Sequence, residues 1–465
     1  MIIHKFGGTS LGSAERIAGV AAIVAAQCRE RRSPVVVASA MSGVKDRLIA
    51  GARAAAEGSN RVCRQVKDEL LARHLEVIEA LLRRGPARIE ITGLVEDRLH
   101  ELERLYRSIA VLGELTARGY DAVASFGEQL STALLAAVLR ERGLRAQAVP
   151  ATELIVTDDH FGAAAPLMER TREQVQARIG PLVAQGVVPV ITGYLGATEA
   201  GVMTTLGRGG GDFSAALIGA ALDAEAVWIW SDVDGILTAD PHLVPQARTL
   251  RELSYAEAAD LAYFGADVLD PKTIRPAVSS GIPLRIANSF NPDHPGTLIV
   301  AHPDPKRQRL PAILSATGLS LIAIGSTDDS WSLPMAARAL QCMGAAGVEV
   351  LMFSQSFSEH SLNLVVREQD QAHCLHLLSQ ELESGRLAGA GTLEVKERVA
   401  TVSVVGVPGW NTTGIVSHTF AALGSHGTRV IAVAQAATEY NVSFCIPEEQ
   451  MAETVRSLHH DLGLD

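Results

Sequence analysis

The chain lacks the marks of several protein classes. Aromatic residues make up 4% of its 465 positions, and only five cysteines occur: Cys28, Cys63, Cys342, Cys374 and Cys445. They are scattered, with no CxxC pair and no His at zinc-binding spacing, so reduced and mostly buried thiols in a reducing compartment are expected. Basic charge is not in excess. Lys and Arg total 41 against 52 Asp and Glu, a net charge of -11, which disfavours nucleic acid or an anionic membrane as partner. No run reaches the roughly 18 apolar residues of a membrane span. The start Met1-Ile2-Ile3-His4-Lys5 has no apolar signal core, and Gly7-Gly8 interrupts it at once. The expectation is a soluble, cytoplasmic protein. There is no GxxxxGK[ST] and no HRD or DFG set, which excludes P-loop and protein-kinase chemistry.

What is present describes a folded chain. The apolar fraction is 47%, the charged fraction 20%, and the length suggests two or three domains. Up to about residue 300, β-branched runs such as 35–38, 187–191 and 226–230 alternate with helical patterns at 13–31 and 213–222. In a helix over 62–84, Val62, Val66, Leu70, Ile78, Leu81 and Leu82 form one stripe. This alternation predicts an α/β domain over 1–300 with a mainly parallel sheet.

A polar, proline-bearing stretch at 301–310 reads as a linker. Beyond it, SQSFSEHSLNL (354–364) and AQAATEYNVSF (434–444) align residue for residue within two β-α-β-β-α units. Such a pair suggests a ligand-binding or dimerising module over 311–465. The first unit can close with a strand near 391–395, whereas the second reaches Asp465 straight after its last helix. Its final strand is therefore expected from 311–316, which places 319–396 as an insert in a unit made of 311–316 plus 399–465.

Three glycine-rich turns follow strands. The first is Lys5-Phe6-Gly7-Gly8-Thr9-Ser10, the second Ser39 to Lys45 with Gly43, and the third Gly207-Arg208-Gly209-Gly210-Gly211-Asp212. Glycines let backbone N–H groups approach an oxyanion, and a following helix N-terminus adds favourable partial charge. Lys5 supplies a point charge for a phosphoryl group, and Arg208 suits a bidentate grip on a carboxylate. Asp212, at the expected helix start, would orient a lysine or cap the helix. Asp232-Val233-Asp234-Gly235 would hold Mg²⁺ or nucleotide, or else form a plain Asp-Gly turn. Glu128, expected in a helix's first turn, would bind an ammonium or complement the helix dipole.

Together these segments resemble aspartate kinases of the amino-acid kinase superfamily. The match runs through KFGGTS (5–10), SAMSG (39–43), SFGE (125–128), TTLGRGGGD (204–212), DVDGILTADP (232–241) and AYFGA (262–266). The repeats resemble that family's ACT domains, and the wording is nearest to the kinase portion of bifunctional aspartate kinase–homoserine dehydrogenases. The resemblance implies a three-layer αβα amino-acid kinase fold followed by two ferredoxin-like (βαββαβ) ACT domains. It also implies phosphorylation of the aspartate side-chain carboxylate by ATP with Mg²⁺.

By the same resemblance Lys5 and Asp212 would be catalytic. The phosphate loops would use Gly7, Gly8, Thr9, Ser39, Gly43, Gly209 and Gly210. Substrate would meet Lys45, Glu128, Arg208 and Gly211, with Glu128 on the ammonium and Arg208 on the α-carboxylate. Nucleotide would meet Ser231, Asp232, Asp234, Gly235, Leu237, His242, Asp267 and Val268. Gln355 and Gln435 would belong to a regulatory amino-acid site, and the ACT units would pair subunits into a homodimer.

The chain departs from the family at several of these positions. Lys45 stands where the family has Thr, Gly211 where it has Ser, and His242 where it has Arg. Asp267 replaces a phosphate-facing lysine and Asp270 a histidine. Exchanging +1 for -1 about 5 Å from a phosphate charge changes the Coulomb energy by roughly 6–7 kcal/mol at an effective dielectric of about 20. Either Lys45 replaces the lost cation, or Asp267 binds a neutralising metal. The alternatives are a paralogue acting on another amino acid or carboxylic acid, or a catalytically impaired regulatory subunit. His426-Gly427-Thr428-Arg429 replaces an Asn-Ile of related chains, which implies weak or absent feedback inhibition.

Overall fold

Valine and isoleucine runs build the central sheet because their branched side chains pack well on a pleated surface. The computed structural model describes residues 1–30, 32–263, 269–304, 310–326, 333–356, 360–387, 390–406, 412–435 and 441–465. It divides into two units. One comprises Met1–Ile236 and Arg251–Ala259 with the stretch ending at Asp304, the other Leu237–Leu250 with the stretch ending at Asp465.

In the first unit, strand Ile2–Phe6 lies at the middle of an eight-stranded sheet. It pairs in parallel with Pro34–Ala38 on one side and Ala226–Ser231 on the other. Val188–Thr192 and Leu284–Asn288 extend the sheet in the same sense, and Thr297–Val300 alone reverses against its neighbour. The first two glycine turns therefore share one edge of this sheet, whereas the third, expected at the same edge, follows Met203–Thr205 of a separate three-stranded sheet and opens helix Gly210–Ala221. Helices Ala14–Arg29 and Ala117–Glu141 pack on one face, with Met168–Ala184 and Gly210–Ala221 on the other. This is the αβα sandwich. Ile3, Val35, Val36, Val37, Val190 and Ile191 are wholly buried between the layers.

Several local readings are corrected. The helix expected over 62–84 is Asn60–Leu81, and a second helix, Pro86–Leu112, starts on Pro86. Its buried stripe keeps Val66, Leu70 and Ile78, but Cys63, His74 and Val77 complete it while Val62 is exposed. Ala117–Glu141 is long and apolar enough to cross a membrane, and 89% of its most apolar window is buried. Its core position explains that composition.

In the second unit, two 14-residue strands, Ala312–Gly325 and Thr392–Val405, run antiparallel through one six-stranded sheet. Ala312–Ala316 pairs with Thr401–Val405, and Leu321–Gly325 with Thr392–Lys396. The two repeats therefore share a continuous sheet. Each half carries its own apolar core. One gathers Ile322, Leu364 and Leu378, and the other Val402, Phe444 and Val455. A third cluster joins Met352 of edge strand Met352–Ser356 to Ala432 of the opposite edge strand Ala432–Gln435.

The excursion Leu237–Leu250 departs from the expectation of one domain over 1–300. Ala239 and Val244 bury themselves in the Val402–Phe444 core. The Thr238 carbonyl accepts from the Ile313 N–H at 2.7 Å. Those contacts place the segment in the second unit. Of the expected linker, residues 305–309 lie outside the described residues.

Candidate active site

Lys5 leaves the central strand just before the first glycine turn, so the strand fixes its side chain at the functional edge of the sheet. Its Nζ lies 2.5 Å from Asp212 Oδ1, and the two side chains are only 12% and 15% exposed. In that partly dry setting the pair is stronger than a surface ion pair. Helix Gly210–Ala221 begins earlier than the sequence suggested, with Gly209 at its cap and Asp212 in its first turn. Asp212 is therefore not the cap. Its carboxylate is committed to Lys5.

The turns are laced together by backbone hydrogen bonds. Ser39 N donates to Phe6 O at 3.1 Å, Ser42 N to Gly8 O at 3.1 Å, and Gly7 N to Trp230 O at 3.3 Å. Thr9 opens a short helical turn, Thr9–Leu11, beyond Gly7 and Gly8. Ser10 Oγ meets Ser289 Oγ at 2.8 Å, and Ser289 Oγ donates to Ser231 O at 3.0 Å. Gly43 caps the second turn in the left-handed conformation.

The third turn needs glycine for two reasons. Gly209 has φ +69, and a Cβ there would lie 2.3 Å from the Cβ of Asp270. At Gly211 a Cβ would stand 3.1 Å from Ser39 Oγ and 3.3 Å from Lys5 Cε. Gly211 thus brings backbone against the lysine, and Lys5, Ser39, Gly211 and Asp212 form one cluster.

Glu128 lies well inside helix Ala117–Glu141, not in a first turn, so it does not serve the helix dipole. It is 4% exposed, and burial pushes its carboxyl up to about 7 from 4.5. A backbone hydrogen bond at Ala40 and the charges of Lys45 and Lys5 oppose that rise. Its Oε2 is buried with no partner among the described residues. A buried acid in this state is suited to a cationic ligand group.

Lys45 Nζ rests 4.1 Å above the ring of Tyr194. Tyr194 itself has φ +69, uncommon for a residue with a side chain, and its N–H donates to Ser214 Oγ at 2.9 Å. Arg208 is exposed at the mouth of the third turn. Asp121, which sequence reasoning missed, is fully buried and accepts from Gly162 N, Thr205 N and Thr205 Oγ1 at 2.7–3.0 Å. It ties the 158–166 loop to the strand leading into the third turn. No motif signals it. Tyr194 was missed too, although its position just after the strand ending at Thr192 was a readable hint.

The Asp-Gly segment divides. Asp234 Oδ1 accepts from Asn288 Nδ2 at 2.9 Å and Asn291 Nδ2 at 3.1 Å, and Gly235 turns tightly against Thr297, so both shape the loop. Asp232 is exposed, with Ser231 Oγ donating to its Oδ1 at 3.1 Å. Leu237 bridges to Thr249, and exposed His242 bonds to Asp240 Oδ1, both within the second unit. Asp267 and Val268 lie outside the described residues. Gln355 and Gln435 are exposed on the edge strands that the third cluster draws together.

Comparison with known proteins agrees with this geometry. Residues 1–288 match the amino acid kinase family, and 334–382 with 402–462 match the ACT domain. The chain is 34% identical to chloroplastic aspartokinase 1 of Arabidopsis thaliana, over 98% of this chain and 79% of that protein. The crystal structure of E. coli aspartokinase III with aspartate and ADP superposes with TM-score 0.82 at 29% identity, over 99% of both chains. The same enzyme with lysine and aspartate, in its T state, gives 0.79 at 29% identity, over 100% of this chain and 99% of that one.

Proposed function

The chain belongs to the aspartokinase family of amino acid kinases, and from that premise we propose that it makes 4-phospho-L-aspartate from L-aspartate and ATP. This is the first step in building aspartate-derived amino acids. The observation that carries the reading is the Lys5–Asp212 pair, set beside the glycine turns that follow Ile2–Phe6 and Pro34–Ala38 and at the start of helix Gly210–Ala221.

The chemistry follows from these groups. One oxygen of the aspartate side-chain carboxylate attacks the γ-phosphorus, the bond from that phosphorus to the β-phosphate oxygen breaks, and ADP leaves. The attacking group is already ionised near neutral pH, so the site needs no general base. Positioning and charge neutralisation remain. Lys5 meets the charge on the moving phosphoryl group, and Asp212 holds the ammonium in line. The backbone N–H groups of the glycine turns add donors at no cost in reorganisation. Buried Glu128 receives the substrate ammonium, and exposed Arg208 is suited to its α-carboxylate.

Among the described residues no three His, Cys, Asp or Glu side chains gather as a metal site. Magnesium brought in with the nucleotide would supply neutralising charge there. Asp232 is the exposed carboxylate available to the nucleotide. The exposed glutamines on adjoining edge strands support an amino-acid effector between the ACT units and pairing of two chains there. All five cysteines are free, which supports a reducing, cytoplasmic setting.

A second reading rests on Lys45 and Gly211. The ammonium of Lys45 acting on Glu128, and bare backbone at Gly211 against Ser39 and Lys5, also suit an acid other than aspartate. The experiment is a hydroxylamine trap with Mg-ATP and a panel of amino acids and dicarboxylates. Hydroxamate from aspartate is expected. Hydroxamate only from another acid would replace aspartate as substrate, and none at all, with ATP still bound, would refute the kinase reading.

A further inference from the structure

Helix Pro86–Leu112 buries Val95, Leu99, Leu102 and Tyr106 on its inner face within the kinase half. Its outer side is a stripe on which Glu96, His100, Arg104 and Arg107 are exposed. The stripe begins and ends on apolar side chains, Ile89 at 74% exposure and Val111 at 87%. Two large aliphatic groups thus stand in water at the two ends of one helix face.

The order of residues along this stripe inverts about His100. Four residues before it stands Glu96, and four after it Arg104. Seven before it is Gly93, and seven after it Arg107. Eleven before it is Ile89, and eleven after it Val111. Steps of four, seven and eleven keep residues on one face of a helix. Turned end for end, the helix sets acid against base, the Arg107 arm over bare backbone, and aliphatic against aliphatic. Antiparallel helix dipoles also attract. Asp97 comes opposite Glu103, but that charge is already met by Lys67 at 2.6 Å and by Arg107. The stripe is its own complement.

Shape agrees with charge. A groove of about 560 Å³ lies beside Ile89, lined by Leu75 of helix Asn60–Leu81, by Thr92 and by Gly93. The Arg88–Glu79 ion pair, at 2.6 Å, forms its rim. A Cβ on Gly93 would meet nothing within 4 Å, so an incoming side chain has room there. Val111 of a reversed second helix arrives at this groove, as a knob enters a hole between paired helices.

We propose that two copies of this chain pack helix Pro86–Leu112 against itself, antiparallel, about a two-fold axis at His100. The occupant is a second copy, not another protein, because the charges invert and the apolar ends repeat across that axis. The contact lies within the kinase half and is separate from pairing through the ACT units. It is independent of the reaction catalysed.

The test is the mass of the full chain in solution, read by analytical ultracentrifugation over a range of concentrations. Glu96→Arg and Arg104→Glu each set like charges across the axis, which suppresses association. Each is expected to halve the mass, from dimer to monomer, or from tetramer to dimer where the ACT units also join chains. Mixed in equal amounts, the two single variants recover the full mass, because each supplies the charge that the other needs. The double variant recovers it alone, and Val111→Asp halves it. The inference is overturned by an unaltered chain of monomer mass, by full mass in the single variants or in Val111→Asp, or by a mixture that stays at half mass. Should a single variant lose its helical circular dichroism, the double variant decides: full mass supports the contact and half mass overturns it. None of these readings uses the kinase activity, so failure of the reaction assignment is seen separately in the hydroxylamine trap.

Discussion

Lys5 and Asp212 come from different layers of the fold, a central strand and the first turn of a helix, and meet at 2.5 Å in a site that is mostly closed to water. The pairing places a cation on the sheet edge with its direction already fixed. Asp212 acts through Lys5.

That relation predicts non-additive kinetics. Lys5→Ala should lower kcat by about a thousandfold and Asp212→Asn by about a hundredfold. The double variant should be no slower than Lys5→Ala alone. Steady-state rates on folded protein check this, and an additive loss would give Asp212 a separate function.

Glu128 predicts a pH profile. Its carboxyl sits near 7 because burial favours the neutral acid. A substrate ammonium favours the anion, so binding below that pH releases a proton. The KM for aspartate should be level above pH 7.5 or so and rise toward tenfold per unit below about pH 7. Glu128→Gln should raise this KM and flatten the profile. Stability has the opposite sense. With a folded pKa raised above 4.5, the group favours the fold most at low pH and progressively less as pH rises through 7. Glu128→Gln should therefore raise Tm at pH 8, read by thermal melts. A lowered Tm there would contradict the assigned burial cost.

Lys45 predicts a change of selectivity. Its ammonium is held over Tyr194 and acts on Glu128. Lys45→Met should raise the KM for the amino acid about fivefold to tenfold and leave that for ATP unchanged. A rise for ATP instead would show that Lys45 replaces a phosphate-facing cation.

Gly209→Ala tests the third turn. The new Cβ meets Asp270 at a positive φ, and the cost should be about 1–3 kcal/mol. The expected reading is a drop of several degrees in Tm with weaker ATP binding. An unchanged melt would mean that Asp270 moves aside freely.

The glycine turns, Lys5 and Arg208 were legible because strand, glycine run and charge are adjacent in sequence. The strand pairing of 312–316 with 401–405 was anticipated by counting strands against chain length. Other features were hidden for physical reasons. Glu128 was given to a helix start because SFGE looks like one, whereas Thr116 caps the helix with a bond from Gly119 N. Asp121 and Tyr194 depend on tertiary partners and a positive φ that neither side chain advertises. The excursion 237–250 is anchored by Ala239, Val244 and Thr238, too few residues to leave a periodic signal.

The two long strands that thread both repeats make the regulatory half indivisible. Excising either repeat would strip its neighbour of a bordering strand and leave raw backbone at the cut. The half should therefore melt in a single step, and strain applied in one repeat has an unbroken backbone along which to reach the other.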